Sequence, residues 1–256
     1  MTARPALEIA VTSPAGARAA RDNGADRVEL CAALELGGLT PSAALVEAVA
    51  REGLPVQVLV RCRPGDFVYD AEEIALMAAE VRSVVASGAG GVVIGALTDD
   101  GALDTVAVAR LAEAARASSR PVDITLHRAV DQSADPVATA ALLPSLGLTR
   151  VLTSGGSPTA AEGLTVIAEM AAAAAGVQVM AGGGMRPADI PALVSAGAGA
   201  VHLSAKARAR PRQGGRWVPL GAGGASAEQD THFVTDPDVV AEAREAVLRL
   251  QETGGR

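Results

Sequence analysis

Several short apolar runs in this sequence end on side chains that could do chemistry. RVELC (27–31) closes on Glu29 and Cys31. A carboxylate placed there could move a proton, and a thiol could hold a soft metal ion. RCRPGDFVYD (61–70) puts Arg61 and Arg63 at a run's end, and Pro64-Gly65 turns the chain back. Guanidinium groups fork onto carboxylates and phosphates, so an anionic ligand is expected. HRAVDQ (127–132) sets His127 four residues before Asp131. An imidazole near a carboxylate is the usual acid–base element, because its pKa lies near neutrality. LTSGG (152–156) and AGGG (181–184) offer Ser154, Gly155, Gly182, Gly183 and Gly184, where backbone N–H groups can approach an anion closely. Glu8 in LEIAV and His202 in AVHLSAK complete the set.

These residues need a scaffold that gathers strand ends. The runs LEIAV (7–11), RVELC (27–31), PVQVLVRC (55–62), GVVIGAL (91–97), PVDITLHR (121–128), RVLTSG (150–155), VQVMAGG (177–183) and AVHLSAK (200–206) read as strands. Alanine-rich stretches of helical period separate them, such as 104–118 and 159–175, and 236–250 reads as a last helix. Ser13-Pro14, Thr40-Pro41, Asp135-Pro136, Ser157-Pro158 and Asp236-Pro237 carry the cap-then-proline signal of a helix start. Eight strands, each followed by a helix, predict a (β/α)8 TIM barrel in a single domain over residues 1–256. A doubly wound sheet would need a glycine fingerprint after the first strand, where Thr12-Ser13-Pro14 stands instead, so no nucleotide cofactor is expected. The segment 207–235 reads as a long loop between the eighth strand and the last helix, and its Trp217 suggests a lid or an oligomer contact.

Alternation along each strand sorts the side chains. Glu8 and Ala10, Glu29 and Cys31, Gln57 with Leu59, Arg61 and Arg63, Asp123 with Thr125 and His127, and His202 with Ser204 are expected to point inward. Cys62 falls with the valines of its strand and faces the helices, whereas the direction of Met180 stays open. So many interior charges must pair or meet a ligand. Barrels often hold phosphate at the loops after strands seven and eight, where Gly182, Gly183 and Gly184 are well placed, with Ser154, Gly155 and Gly156 next door.

Composition narrows the class further. A net charge of −7 argues against a partner held through nucleic-acid phosphates. Aromatic residues, at 2%, supply no platform for stacking bases. No run is long and apolar enough to cross a membrane, and the N-terminus has no signal-peptide pattern, so a cytoplasmic location is expected. Two cysteines are too few for a disulfide framework.

Together, ADRVELC with GGLTPS, the arginine-flanked RPGDFVY segment, LHRAVD, RVLTSGG, MAGGG and HLSAK resemble the CutC family over nearly the whole chain. The resemblance implies a TIM barrel, a cytosolic homo-oligomer (dimer or tetramer) and copper(I) handling, with Cys31 as the copper contact and His127 or His202 in support. The pattern departs at Ala10, where relatives often carry cysteine, and at Cys62, where they carry proline. Two other readings stand beside it. One is an enzyme acting on a small anionic or phosphorylated metabolite, with Glu29 and His127 as acid and base, Asp131 beside the histidine, Arg61 and Arg63 as clamp, and Ser154 with Gly182 to Gly184 as anion cradle. The other is a barrel that binds an anionic ligand without chemistry.

Overall fold

The computed structural model describes residues 4–209 and 232–253. Eight parallel strands form a closed barrel. They are β1 (Ala6–Val11), β2 (Arg27–Leu30), β3 (Val56–Leu59), β4 (Gly91–Ile94), β5 (Asp123–Leu126), β6 (Arg150–Thr153), β7 (Gln178–Gly182) and β8 (Ala200–Leu203). Closure is direct, because β1 pairs with β2 on one side and with β8 on the other. The helices that return the chain are α1 (Pro14–Asp22), α2 (Ala43–Ala50), α3 (Ala71–Ala86), α4 (Thr105–Arg116), α5 (Pro136–Leu142), α6 (Leu164–Ala173), α7 (Ile190–Ser195) and α8 (Pro237–Thr253). No helix among the described residues is long and apolar enough to cross a membrane.

The core lies between barrel and helices. Leu7, Ile9, Val28, Leu30, Val56, Val58, Val92 and Ile94 turn outward into it and meet Ala17, Val46, Met77, Val81 and Leu111 of the helix layer. The alternate residues fill the barrel. At its base this filling is polar rather than aliphatic. Arg150 reaches Thr125, Gln178 and Asp123, and Arg27 reaches Glu8 and the Met180 sulfur. Two glycines, one in β4 and one just after it, make room for inward side chains. A Cβ on Gly91 would overlap the Gln57 amide, and one on Gly95 would lie 2.5 Å from Cε1 of His127.

Three of the five cap-then-proline signals start helices, with Ser13 and Asp135 accepting from backbone N–H groups in α1 and α5, and Pro237 opening α8. The other two do not. α2 is capped by Ser42, while the Thr40 hydroxyl accepts from the Arg61 N–H and donates to Glu80. α6 begins only after Gly163, because residues 155–163 first fold over the end of β6, where a Cβ on Gly163 would overlap the Ser154 carbonyl oxygen. The base of the 207–235 segment is a short antiparallel ribbon of β9 (Lys206–Arg208) and β10 (Phe233–Thr235). Trp217, and with it the lid reading, lies outside the described residues.

Candidate functional site

A cavity of 540 Å³ opens at the C-terminal end of the barrel. This is where strand ends from different parts of a TIM barrel converge. Glu29, Cys31, His202 and Ser204 line it from β2 and β8, and Arg61, Phe67, His127 and Asp131 line it from β3 and β5 and the segments that follow them.

The first wall is built as a relay. Glu8 is fully buried, and its carboxylate accepts from the Arg27 guanidinium at 2.5 Å and contacts His202 Nδ1 at 2.9 Å. Burial alone would raise the Glu8 pKa, but the His202 hydrogen bond and the Arg27 charge outweigh it and hold the carboxyl at about 2. Glu8 is therefore ionised, and His202 donates its Nδ1–H to it. That fixes the other ring nitrogen, Nε2, toward Glu29 at 3.7 Å. Glu29 makes no hydrogen bond among the described residues. Burial pushes its pKa up to about 7, against the pull of the His202 charge and with a push from Glu8. For His202, burial opposes the charged form, but Glu29 and Glu8 prevail and raise its pKa. The pair thus holds a proton near neutrality and can give or take one at the cavity surface.

The wall that follows β3 and β5 offers positive charge and hydrogen-bond donors. Arg61 is 7% exposed. Its terminal nitrogens donate to the backbone carbonyls of Leu36, Gly38 and Gly65, and it makes no ion pair among the described residues. Its guanidinium lies 5.1 Å from the centre of the Phe67 ring. The His127 ring packs 4.8 Å from the same ring. His127 Nδ1 accepts from the Ala129 N–H at 3.1 Å, so the proton of the neutral ring sits on Nε2. Burial, then the Arg61 charge, lowers the His127 pKa to about 3. Nε2 of His127 and Nε of Arg61 are both buried without a partner.

Several expected site residues take other roles. His127 has no free lone pair and is neutral across the physiological range, so the base expected there is a donor instead. Asp131 does not pair with it. The Asp131 carboxylate accepts from the N–H groups of Ser154 and Gly156, the Thr153 and Ser154 hydroxyls and Arg128. The anion cradle expected at LTSGG is thus filled by the chain's own carboxylate, and Gly155 gives its N–H to the Thr153 hydroxyl. Gly183 and Gly184 line an adjoining 190 Å³ cavity, whose walls at Arg128, His202 and Ser204 are shared with the first. Gly182 faces inward as a space-maker, because a Cβ there would crowd Leu152 and His202. Arg63 is not at the cavity: the strand ends at Leu59, and Arg63 turns out to pair with Glu73 and Asp66 and stack on Tyr69. Glu8 does not reach the cavity either and acts through His202.

Copper(I) needs soft donors converging on one point. Cys31 lines the cavity, but burial, then Glu29 and Glu35, push its thiol pKa far up, disfavouring the thiolate a metal would require. Cys62 packs against the outer core, as its alternation predicts. Met180 points into the barrel, where its sulfur meets Arg27. Among the described residues only Glu8, Glu29 and His202 bring three hard or borderline donor atoms together, within 4.8 Å, and both Glu8 oxygens are already engaged. The donor set does not fit a copper(I) centre.

Sequence patterns alone do not mark Arg27, Arg150, Phe67 or Gly95. The two arginines sit at strand starts and are masked by the apolar runs they open. Inward parity is the one signal that points to them, since Arg27 is two residues before Glu29.

The fold and the family point the same way. A solved structure from Streptococcus agalactiae, a candidate copper homeostasis protein CutC, superposes with a TM-score of 0.71 at 26% identity, covering 78% of this chain and 98% of that one. A thiamine phosphate pyrophosphorylase from Pyrococcus furiosus, at 12% identity and a TM-score of 0.57 over 96% of each chain, shares the fold alone. Curated relatives named family protein CutC include one from Klebsiella pneumoniae strain 342, 42% identical over 83% of this chain and 81% of its own length. Another, from Xylella fastidiosa, is 47% identical over 78% of this chain and 74% of its own length. The model of the CutC family matches residues 6–207, from the first barrel strand to just past the eighth, and this chain belongs to that family.

Proposed function

We propose that this chain is a proton-transfer enzyme acting on a small anionic metabolite in the barrel cavity. One observation carries the reading: a buried carboxyl, Glu29, without a hydrogen-bond partner, faces a 540 Å³ cavity beside an imidazole that Glu8 and Arg27 hold in one orientation. In this reading Glu29 takes a proton from the substrate as its C–H or O–H bond breaks, and His202 carries the compensating charge. The same pair returns the proton to a neighbouring atom, so no oxidant or reductant is consumed. Arg61 supplies the charge that draws an anion into the cavity. The test works with an unidentified substrate. The protein is incubated with a small-molecule cell extract in heavy water, and mass spectrometry follows which metabolite gains carbon-bound deuterium or is converted. The wild type should label at least one anionic metabolite, and Glu29→Gln should not. Labelling that survives in Glu29→Gln, or none with the wild type, refutes the reading.

A second reading follows from the copper homeostasis description of the Streptococcus agalactiae protein. In this chain it rests on Cys31 at the cavity wall. Anaerobic copper(I) titration separates the two: a stoichiometric site lost in Cys31→Ser supports copper handling, and equal copper in wild type and variant removes it.

A further inference from the structure

Resting on the reading of the cavity as a substrate site, we propose that the wall of Arg61, Phe67 and His127 is a carboxylate receptor, so that the substrate is a small organic acid whose carboxylate faces Arg61 and His127.

Three observations converge on this. First, Arg61 is a buried cation lining the cavity with no counter-ion among the described residues. Its partners are three carbonyl oxygens, which orient the guanidinium but do not neutralise it. A buried charge in that condition is expensive unless a ligand completes it. Second, two N–H donors among the cavity-lining residues of this wall are buried without a partner, Nε of Arg61 and Nε2 of His127, and the Tyr69 hydroxyl packed behind Phe67 is also unpartnered. The tautomer of His127 is set by the Ala129 N–H on Nδ1, so Nε2 presents a proton. Both side chains pack on one ring, Phe67, at 5.1 and 4.8 Å between centres. Third, the charge and surroundings fit a singly charged ligand. One unneutralised guanidinium matches the single charge of a carboxylate. The backbone cradle that could have served a phosphate dianion at β6 is filled by Asp131. The apolar neighbours Leu34, Leu36 and Leu59 also favour the less charged group. The rest of the molecule would then extend within the cavity toward Glu29 on β2, the neighbour of β3, and His202 on β8.

The test reads binding rather than turnover. In protein labelled with 15N at histidine, the His127 Nε2–H resonance is followed while pyruvate, glycolate, acetate, methyl pyruvate or inorganic phosphate is added. At least one free carboxylate should shift it saturably. Methyl pyruvate, which lacks the charge, should bind about tenfold or more weakly than pyruvate, and Arg61→Met should weaken the carboxylate by a similar factor. Arg63→Gln, outside the cavity, should leave the affinity within about twofold. The wild-type titrations stand without any variant, should Arg61→Met fail to fold. Phosphate shifting the resonance in place of the carboxylates, equal effects of ester and acid, or no shift with any probe would each overturn the proposal. Glu29→Gln should keep the carboxylate binding. Carboxylate binding without deuterium labelling would sink the proton-transfer reading alone, whereas labelling confined to compounds without a carboxylate would sink this one alone.

Discussion

Replacing Glu29 by glutamine should stabilise the protein at pH 8 and leave its stability nearly unchanged at pH 4. The carboxyl is 7% exposed and faces His202 and Glu8, with the Cys31 thiol on the same strand face. Its pKa is raised from an ordinary 4.5 to about 7. An acid with a raised folded pKa binds its proton more tightly in the folded state than in the unfolded one. Below pH 4.5 both states are protonated, and Glu29 costs nothing. As pH climbs from 4.5 to about 7 the unfolded chain ionises freely while the folded chain resists, so stability falls through that window. At roughly 1.4 kcal/mol per pH unit, the full loss is about 3 kcal/mol. Glutamine has the shape of the protonated acid and cannot ionise, so the variant escapes this loss. Urea denaturation at a series of pH values measures it directly. The two proteins should nearly coincide at about pH 4, and the variant should lead by about 3 kcal/mol at about pH 8. The His202 ring should also lose its proton at lower pH in the variant, because the Glu29 charge helps to hold it. A variant less stable than the wild type at pH 8 would refute the reasoning, for it would mean that the charged carboxylate is well partnered.

Two further substitutions probe the His127 wall and the segments that follow it. Gly95→Ala puts a methyl group 2.5 Å from Cε1 of His127, so the ring or the strand must move. A stability loss of about 1–3 kcal/mol in urea is expected, together with a displaced His127 Nε2–H resonance, and an unmoved resonance would show that the glycine is not there for the ring. Asp131→Ala removes the acceptor for the Ser154 and Gly156 N–H groups, the Thr153 hydroxyl and Arg128. Because hydrogen bonds to a charged acceptor are worth about 1.5–3 kcal/mol each and these act as a unit, a loss of about 3 kcal/mol or more is expected, with Asp131→Asn recovering part of it. Equal urea midpoints for Ala and wild type would contradict the network.

Periodicity carries the barrel a long way. Residues that alternate in one direction along a strand must share a face, so Glu29, Cys31, Gln57, His127 and His202 can be set inside the barrel from the order of their apolar neighbours. The rule fails where the strand stops. Arg63 keeps the parity of Arg61, yet the ladder ends at Leu59, and beyond it the turn through Pro64 and Gly65 aims Arg63 at Glu73. Spacing also misleads at His127 and Asp131. The turn of 3-10 helix over Arg128–Gln132 carries Asp131 to the amides after β6, a contact between distant segments that no local pattern announces. A helix start fails for a similar reason at Thr40, where Glu80 and the Arg61 N–H take the hydroxyl a cap would have used.

The choice between Glu29 and Cys31 comes down to what burial does to each. Both are acids in a poorly hydrated wall, and burial raises both pKa values. A carboxyl raised from 4.5 to about 7 arrives where a proton can be exchanged at physiological pH. A thiol raised from 9.0 moves away from it, and the nearby Glu29 charge drives it further. The same environment therefore brings the glutamate's titration toward neutrality and carries the cysteine's away from it. Ala10 acts in the same direction. It pairs across the ladder with Glu29 and lines the cavity. A cysteine there would have brought a second sulfur toward Cys31, but it would also have narrowed the space above the carboxyl. Alanine supplies no soft donor there and leaves the cavity wall beside Glu29 small.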